Sequence, residues 1–175
     1  MLAQLAAAWG NDAWTPHVEF LQSVLENAAG ASGPILECGA GISTLILGVV
    51  CQVRGLRVTT LEEDPEWAKA VRDCLSRHGI ESVSVIHAPL QSYDEYEWYS
   101  LPSEALPERI SLAVCDGPSG RAPGARYGLV PLCLPRLGSG AVVLLDDAER
   151  PSEREFIPRW SALLGASPER VRPGR

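Results

Sequence analysis

An acidic residue followed by a glycine-rich turn is the part of the sequence best suited to chemistry. Glu37 lies in a short apolar run and is followed by Gly39 and Gly41, with Ser43 and Thr44 directly after them. Glycines at this spacing let the backbone turn tightly and leave room for a ligand against it. A turn built for pyrophosphate uses bare N–H groups and the positive end of a helix, so a carboxylate there would repel its ligand. The Glu37 carboxylate instead suits a ligand that carries an ammonium group.

Other polar side chains recur where apolar runs end. Three such runs end at or beside Glu37, Glu62 and His87, and two later runs end next to Asp116 and Asp146. In open α/β sheets, ligands bind in the crevice outside the carboxyl ends of the strands. We therefore expect these five side chains to meet at one edge of a sheet.

An alternation of helices and strands must position these side chains. Apolar periodicity predicts helices over 15–29, 43–54, 64–79, 124–137 and 152–164, and strands over 34–38, 56–61, 83–87, 110–115 and 141–145. Parallel strands need crossovers, so the pattern predicts a doubly wound, mainly parallel α/β sheet flanked by helices. Residues 1–175 form one domain, with an N-terminal helix over 15–29 and a core over 34–164. For the aromatic and acidic run 93–99, packing is preferred over a lid.

Four segments occur in a suggestive order: 35–44 (Ile-Leu-Glu-Cys-Gly-Ala-Gly-Ile-Ser-Thr), 58–67, 116–120 with 126–128, and 144–150. Together they resemble the class I S-adenosylmethionine-dependent methyltransferases, and in particular a small O-methyltransferase-like branch. The resemblance extends over about 9–160. It implies a Rossmann-like fold, S-adenosylmethionine as the methyl donor and a small-molecule acceptor that is methylated at oxygen.

The resemblance also implies which residues hold the methyl donor. Glu37 is expected to bind its ammonium group, directly or through water, while the glycine turn approaches its amino-acid part. Glu62 is expected to bind both ribose hydroxyls, and Glu63 is the alternative because a one-residue shift of the strand end exchanges them. The expected cofactor contacts are Glu37, Gly39, Ala40, Gly41, Ser43, Thr44, Glu62, Glu63, Asp116 and, beside the adenine, Ala88, Pro89 and Leu90.

The acids after the last two predicted strands suggest a metal site. In metal-dependent catechol-type O-methyltransferases the corresponding strand ends hold Mg²⁺, and Asp116, Asp146 and Asp147 have similar positions. Magnesium prefers such oxygen ligands and would lower the pKa of a substrate hydroxyl. That family usually has asparagine in place of Asp147, so an alternative is that Asp116 orients the cofactor and the other two acids cap a loop. Catalytic residues are expected among Asp116, Arg126, Tyr127 and Asp147, where Arg126 and Tyr127 hold the substrate or Arg126 forms a salt bridge with Asp116 or Asp147.

Composition limits the partners. A formal charge of −7 and a single lysine disfavour nucleic acid, because phosphate binding needs clustered Lys and Arg. No apolar stretch has the length of a membrane span, and no signal peptide is recognisable. Five cysteines without a metal-binding spacing fit a reducing, cytoplasmic location.

Two alternatives stay open. Members of this fold usually add two more strands, for which 165–175 is too short, so 141–145 would be an exposed edge. Either a homodimer covers that edge or the chain is truncated.

The spacing Gly39-x-Gly41-x-x-Thr44 also approximates an NAD fingerprint, although Thr44 replaces its last glycine. An NAD-binding dehydrogenase-type domain and a non-catalytic S-adenosylmethionine-binding module are therefore the alternatives to a methyltransferase.

Overall fold

A sheet of five parallel strands forms the centre of the molecule. The structure is a computed structural model, and it describes residues 9, 16–100, 104, 106–119, 124 and 126–170. The described residues form seven strands, which in chain order are β1 (Ile35–Cys38), β2 (Val58–Glu62), β3 (Val83–His87), β4 (Leu90–Tyr93), β5 (Tyr96–Tyr99), β6 (Ile110–Cys115) and β7 (Leu137–Leu145). The sheet has the order β3-β2-β1-β6-β7, and β4 and β5 form a separate antiparallel pair. The strands that follow β1 in the chain lie first on one side of it, as β2 and β3, and then on the other side, as β6 and β7. The carboxyl ends of β1 and β6 therefore flank the point where the strand order reverses, and ligands bind at such a point.

Helices cover both faces of the sheet, as the sequence predicted. They are α1 (Val18–Gly30), α2 (Ile42–Arg54), α3 (Pro65–Arg77), α4 (Leu129–Cys133) and α5 (Pro151–Leu164). One face packs against α1, α2 and α3 through alternate strand residues such as Ile35, Val58 and Val85. The other face packs against α4, α5 and the β4–β5 hairpin through Leu36 and Leu61. No helix in the described part of the chain is long and apolar enough to cross a membrane.

The run 93–99, to which the sequence assigned no strand, belongs to a β-hairpin. Asp94 lies at a turn between β4 and β5, with φ at +37°. Trp98 and Tyr99 on β5 are among the largest fully buried side chains. The hairpin therefore packs onto the core, which is the role that the sequence analysis preferred over a lid.

Several element boundaries differ from the predictions. The helix predicted over 124–137 is reduced, within its described part, to α4 and a 3-10 turn over Leu134–Arg136. Proline lacks the N–H that a continuing helix needs, and Pro131 and Pro135 lie in this segment. β7 begins at Leu137 instead of 141, so residues 138–140, with two glycines, are strand rather than loop, and residue 137 is strand rather than the end of the predicted helix. Thr15, the predicted start of the first helix, lies outside the described residues.

The predicted sheet edge is present. Among the described strands β7 pairs only with β6, and Val142 on it is 40% exposed. An unpaired strand edge can template pairing with another chain. The fold thus retains the feature on which the expectation of a homodimer was based.

Candidate functional site

The glycine turn after β1 brings two strand ends into contact. Gly39 has a φ of +88°, which favours glycine, and its amide donates to the Leu61 carbonyl at 2.9 Å. A Cβ on Gly39 would lie 2.9 Å from the Gly117 nitrogen and 3.1 Å from the Asp116 carbonyl carbon. A Cβ on Gly41 would meet no heavy atom within 4 Å. The turn therefore packs tightly at Gly39 and is open to a ligand at Gly41.

Glu37 lies fully buried between β1, β2 and the first turn of α2. Its Oε2 accepts hydrogen bonds from the hydroxyls of Thr44 at 2.7 Å and Thr60 at 2.8 Å. The Thr44 hydroxyl in turn accepts from the Gly41 amide at 2.8 Å, so the acid is linked to the turn. The other oxygen, Oε1, is buried and has no hydrogen-bond partner among the described residues. A buried acceptor left in this state is a fitting partner for a ligand donor such as an ammonium group.

Burial also changes the protonation of Glu37. Removal from water raises its pKa from 4.5 to about 7, although hydrogen bonds from nearby hydroxyl groups oppose this shift. The carboxyl group is therefore close to half ionised at neutral pH. A cationic ligand at Oε1 would favour the ionised form.

Glu62 and Glu63, which the sequence could not separate, have different surroundings. Glu62 is buried, and its two oxygens accept from the amides of Ala40 at 2.8 Å and Asp64 at 2.9 Å. Burial raises the pKa of Glu62, and these two amides oppose the shift. Glu63 is half-buried and accepts instead from the Ser119 amide, at 3.2 Å from Oε2. Glu62 is thus in contact with the glycine turn, and each of its oxygens keeps a lone pair for a ligand hydroxyl.

Ala40 is held from both sides. Its amide bonds Glu62, and its carbonyl accepts a hydrogen bond of 2.7 Å from Nε1 of Trp67 on α3. The Trp67 ring also contacts Trp9 edge-on, with 6.0 Å between the ring centroids. The Asp64 side chain caps α3 by accepting from the amides of Glu66 and Trp67. These contacts fix the middle peptide of the turn before any ligand binds.

The segment expected beside the adenine connects β3 to the hairpin. Ala88 is buried, and its amide donates to the Glu62 carbonyl at 2.8 Å. Pro89 is exposed, and its carbonyl accepts from Ser100, while Leu90 is half-buried at the start of β4. The structure thus places these three residues next to the end of β2. Ser43, also expected at the cofactor, is buried in the first turn of α2.

The three predicted metal-ligand acids do come together, but an arginine lies among them. Asp116 follows β6 and Asp146 and Asp147 follow β7, with one carboxylate oxygen of each within 4.8 Å of the others. Nη2 of Arg126 lies 3.0 Å from Asp116 Oδ1 and 3.3 Å from Asp147 Oδ2. Nη1 of Arg126 donates to the Asp146 carbonyl at 2.7 Å, and Arg150 contacts Asp147 Oδ2 at 2.6 Å. The salt bridge that the sequence analysis kept as an alternative is therefore the arrangement found.

The pKa values of Asp116 and Asp146 are both raised. Burial raises the pKa of Asp116 well above its usual value, and the neighbouring acids add to this while Arg126 opposes it. Burial also raises the pKa of Asp146, with Asp147 as the next cause. These carboxyl groups therefore keep a proton to a higher pH than isolated aspartates do.

Tyr127 has a different environment from Arg126. Its ring packs edge-on against Tyr96 at 5.0 Å and beside Phe156, and the Arg159 guanidinium lies 4.2 Å above it. Its carbonyl accepts a hydrogen bond of 2.8 Å from the Trp160 indole. Tyr127 thus fastens α5 to the hairpin, and its predicted contact with substrate stays a prediction.

One contributor to the site, Thr60, was missed from the sequence. Thr60 donates to Glu37 because the parallel register of β1 and β2 sets these residues side by side. The signal that could have found it is a polar residue inside a buried strand. Trp67 bonds the turn across 27 residues of sequence.

Comparison with known proteins identifies the family. A family model described as a methyltransferase domain matches residues 36–148, about two thirds of the chain. The chain therefore belongs to the methyltransferase family, and to its class I, S-adenosylmethionine-dependent members, as the resemblance predicted. This membership sets aside the dehydrogenase alternative. No curated protein matches the sequence.

Three solved structures that share this fold carry the name of a methyltransferase. The SAH-bound methyltransferase PaMTH1 from Podospora anserina has a TM-score of 0.64 at 17% identity, over 93% of this chain and 73% of that one. A putative caffeoyl-CoA O-methyltransferase from Staphylococcus aureus has a TM-score of 0.56 at 13% identity, over 83% and 70%. A precorrin-6y C5,15-methyltransferase from Geobacter metallireducens has a TM-score of 0.55 at 17% identity, over 80% and 69%. At such identities these similarities show a shared fold.

Proposed function

We propose that this methyltransferase transfers the methyl group of S-adenosylmethionine to an oxygen atom of a small molecule. The observation that carries the proposal is that Oε1 of Glu37, beside an open glycine turn, has no hydrogen-bond partner among the residues that the structure describes. A buried carboxylate with a free acceptor disfavours pyrophosphate and favours a cationic amino-acid group. The high negative charge of the chain favours a small acceptor over nucleic acid.

The residues present fit S-adenosylmethionine. Glu37 would receive the ammonium group and Glu62 the ribose hydroxyls, while Gly41 leaves the space that the amino-acid part needs. Ala88, Pro89 and Leu90 would line the adenine. When bound, the cofactor supplies an electrophilic methyl group, and the chain's own task is to align the acceptor with it.

The acidic cluster would serve the acceptor. Asp116 adjoins the glycine turn through the contact between Gly39 and Gly117, so a ligand on the turn lies next to it. The side chains of Asp116 and Asp147 are 20% and 23% exposed, which lets a substrate hydroxyl approach them. An oxygen acceptor must lose its proton during transfer, and a carboxylate at hydrogen-bond distance can take it.

Magnesium does not fit the same cluster. Arg126 contacts two of the three carboxylates that would coordinate the ion, and its side chain is 4% exposed. We therefore derive no catalytic step from a metal.

The homodimer across β7 stays a separate proposal, and light scattering after gel filtration tests it. A monomer at micromolar concentration would refute it.

The test of the cofactor assignment is isothermal titration with S-adenosylhomocysteine, with NAD as the control ligand. We expect binding of the former only, and Glu62→Ala should weaken it by about 1.5–3 kcal/mol, the range for hydrogen bonds to a charged group. Glu63→Ala is the matched control, and an equal loss there would move the ribose to Glu63. Binding of NAD alone would refute the proposal.

The acceptor atom needs a turnover assay. Phenols, catechols and amines are offered with S-adenosylmethionine, and release of S-adenosylhomocysteine is measured. Transfer to hydroxyl compounds is expected. Asp116→Asn should lower the maximal rate by a larger factor than it changes the KM. Transfer to amines alone would refute oxygen as the acceptor. Cofactor binding without any turnover would favour the non-catalytic module.

A further inference from the structure

We propose that Arg126 is the permanent cation of the acidic cluster, in the position that a divalent metal would otherwise take. The site then works without a metal ion. The consequence for turnover rests on the proposed methyltransferase function. The position of the cation does not, because metal binding alone can test it.

The contacts of Arg126 are those of a bridging cation. Its Nη2 alone lies 3.0 Å from Asp116 Oδ1 and 3.3 Å from Asp147 Oδ2, which are carboxylates on two different strand ends. Magnesium requires several oxygens at about 2.0–2.1 Å around one point. Here that point, between Asp116 and Asp147, is filled by a guanidinium nitrogen.

Arg126 is anchored by more than its ion pairs. Nη2 also donates to the Asp116 carbonyl at 2.8 Å, and Nη1 donates to the Asp146 carbonyl at 2.7 Å. These acceptors belong to the backbone directly after β6 and β7, so the guanidinium ties the two strand ends together. A metal could enter only by displacing a buried charge, and an arginine cannot become neutral by losing its proton.

The charge balance points the same way. Two guanidinium groups, of Arg126 and Arg150, already contact a cluster of three carboxylates. Affinity of oxygen sites for divalent cations depends on the number of uncompensated ligand charges. The wild-type cluster therefore offers little net charge to an ion, whereas removal of Arg126 would leave three acids with only Arg150 beside them.

The experiment is a titration with Mn²⁺, which accepts the same carboxylate ligands as Mg²⁺, followed by the electron paramagnetic resonance signal of the free ion. Wild-type protein should bind no Mn²⁺ below about 1 mM, whereas Arg126→Ala should bind one ion at least about tenfold more tightly. Arg126→Lys keeps a cation and should behave like the wild type. Arg150→Ala is the matched comparison, because it also removes one guanidinium group from Asp147 but leaves Arg126 in place, and the Arg150 side chain is 46% exposed. It should gain less affinity for Mn²⁺ than Arg126→Ala does.

Tight binding of one Mn²⁺ by the wild type, lost in Asp147→Asn, would overturn the inference. So would an Arg126→Ala protein that folds but gains no site. If Arg126→Ala does not fold, thermal melting of the wild type decides: an unchanged Tm with Mn²⁺ or EDTA supports the inference, and a rise with Mn²⁺ that Asp147→Asn abolishes refutes it. None of these readouts uses turnover, so they are independent of whether the methyl transfer assay succeeds.

Discussion

Replacement of Glu37 by glutamine should change how the stability of the protein depends on pH. Glu37 is fully buried, and burial raises its pKa to about 7 in the folded protein from 4.5 in the unfolded chain. Between these values the folded protein binds more protons than the unfolded chain, so its stability falls as the pH rises. Glutamine has nearly the same shape and does not ionise, so the variant lacks this part of the pH dependence.

The size of the effect follows from the two pKa values. A carboxyl group that ionises near pH 7 when folded and near 4.5 when unfolded loses about 2.5 kcal/mol of stability between pH 5 and pH 8. The wild type carries this loss and Glu37→Gln does not. Groups that are not in contact with Glu37 titrate alike in both proteins, so their effects cancel in the comparison. The free energy of unfolding of the variant, relative to the wild type, should therefore rise by about 2.5 kcal/mol from pH 5 to pH 8.

Urea unfolding at four pH values, followed by the fluorescence of the five tryptophans, measures this difference. Glu81→Gln is the control, because Glu81 is exposed and its replacement should leave the difference flat. A Glu37→Gln curve parallel to the wild type from pH 5 to pH 8 would refute the reasoning, since Glu37 would then ionise alike in both states.

The same ionisation should appear in cofactor binding. If only ionised Glu37 receives the ammonium group, the competent fraction rises about tenfold from pH 6 to pH 8 for a pKa of about 7. Affinity for S-adenosylhomocysteine should rise accordingly in the wild type and not in Glu37→Gln. A rise of equal size in both proteins would assign it to another group.

Three further predictions concern the turn. Gly39→Ala should destabilise the fold by about 2 kcal/mol or more, because the φ of Gly39 is positive and the added Cβ would meet backbone atoms. Gly41→Ala should keep the stability and weaken S-adenosylhomocysteine binding. Equal melting temperatures for the two variants would contradict this. Trp67→Phe should cost about 1 kcal/mol in urea unfolding through the lost bond to Ala40, and unchanged stability would show that the bond contributes nothing. Thr60→Val should cost about 1–2 kcal/mol, with a larger loss at pH 8 than at pH 5, since the ionised Glu37 depends more on its donors; the reverse order would contradict the assignment.

The sequence predicted the sheet well because periodicity and glycine position report on backbone geometry. The run before Glu37, the turn at Gly39 and the acid at the end of β2 fixed the strand ends, and parallel pairing then gathered them at one edge. The hairpin escaped because its strands have four residues each and mix aromatic with acidic side chains, without clear alternation. β7 was predicted too short because Gly138 and Gly140 are typical of loops.

The contacts within the site were less predictable because they join residues distant in sequence. The sequence offered two roles for Arg126, a salt bridge with Asp116 or Asp147 and a contact with substrate, and had no physical means of choosing between them. The structure shows the salt bridge, and the guanidinium also reaches backbone carbonyls at the ends of two strands. A contact of Arg126 with substrate stays a prediction.

The acids at the sheet edge therefore form two groups that differ in how their negative charge is compensated. On the β1–β2 side, Glu37 keeps a buried oxygen that has no hydrogen-bond partner in the described part of the chain. On the β6–β7 side, Arg126 balances the acids from within. A cationic ligand gains most where charge is uncompensated, which directs it to the glycine turn and away from the aspartates. Because Gly39 and Gly117 are in contact, a cofactor bound at the glycine turn would lie next to Asp116, as the proposed role of this acid toward the methyl acceptor requires.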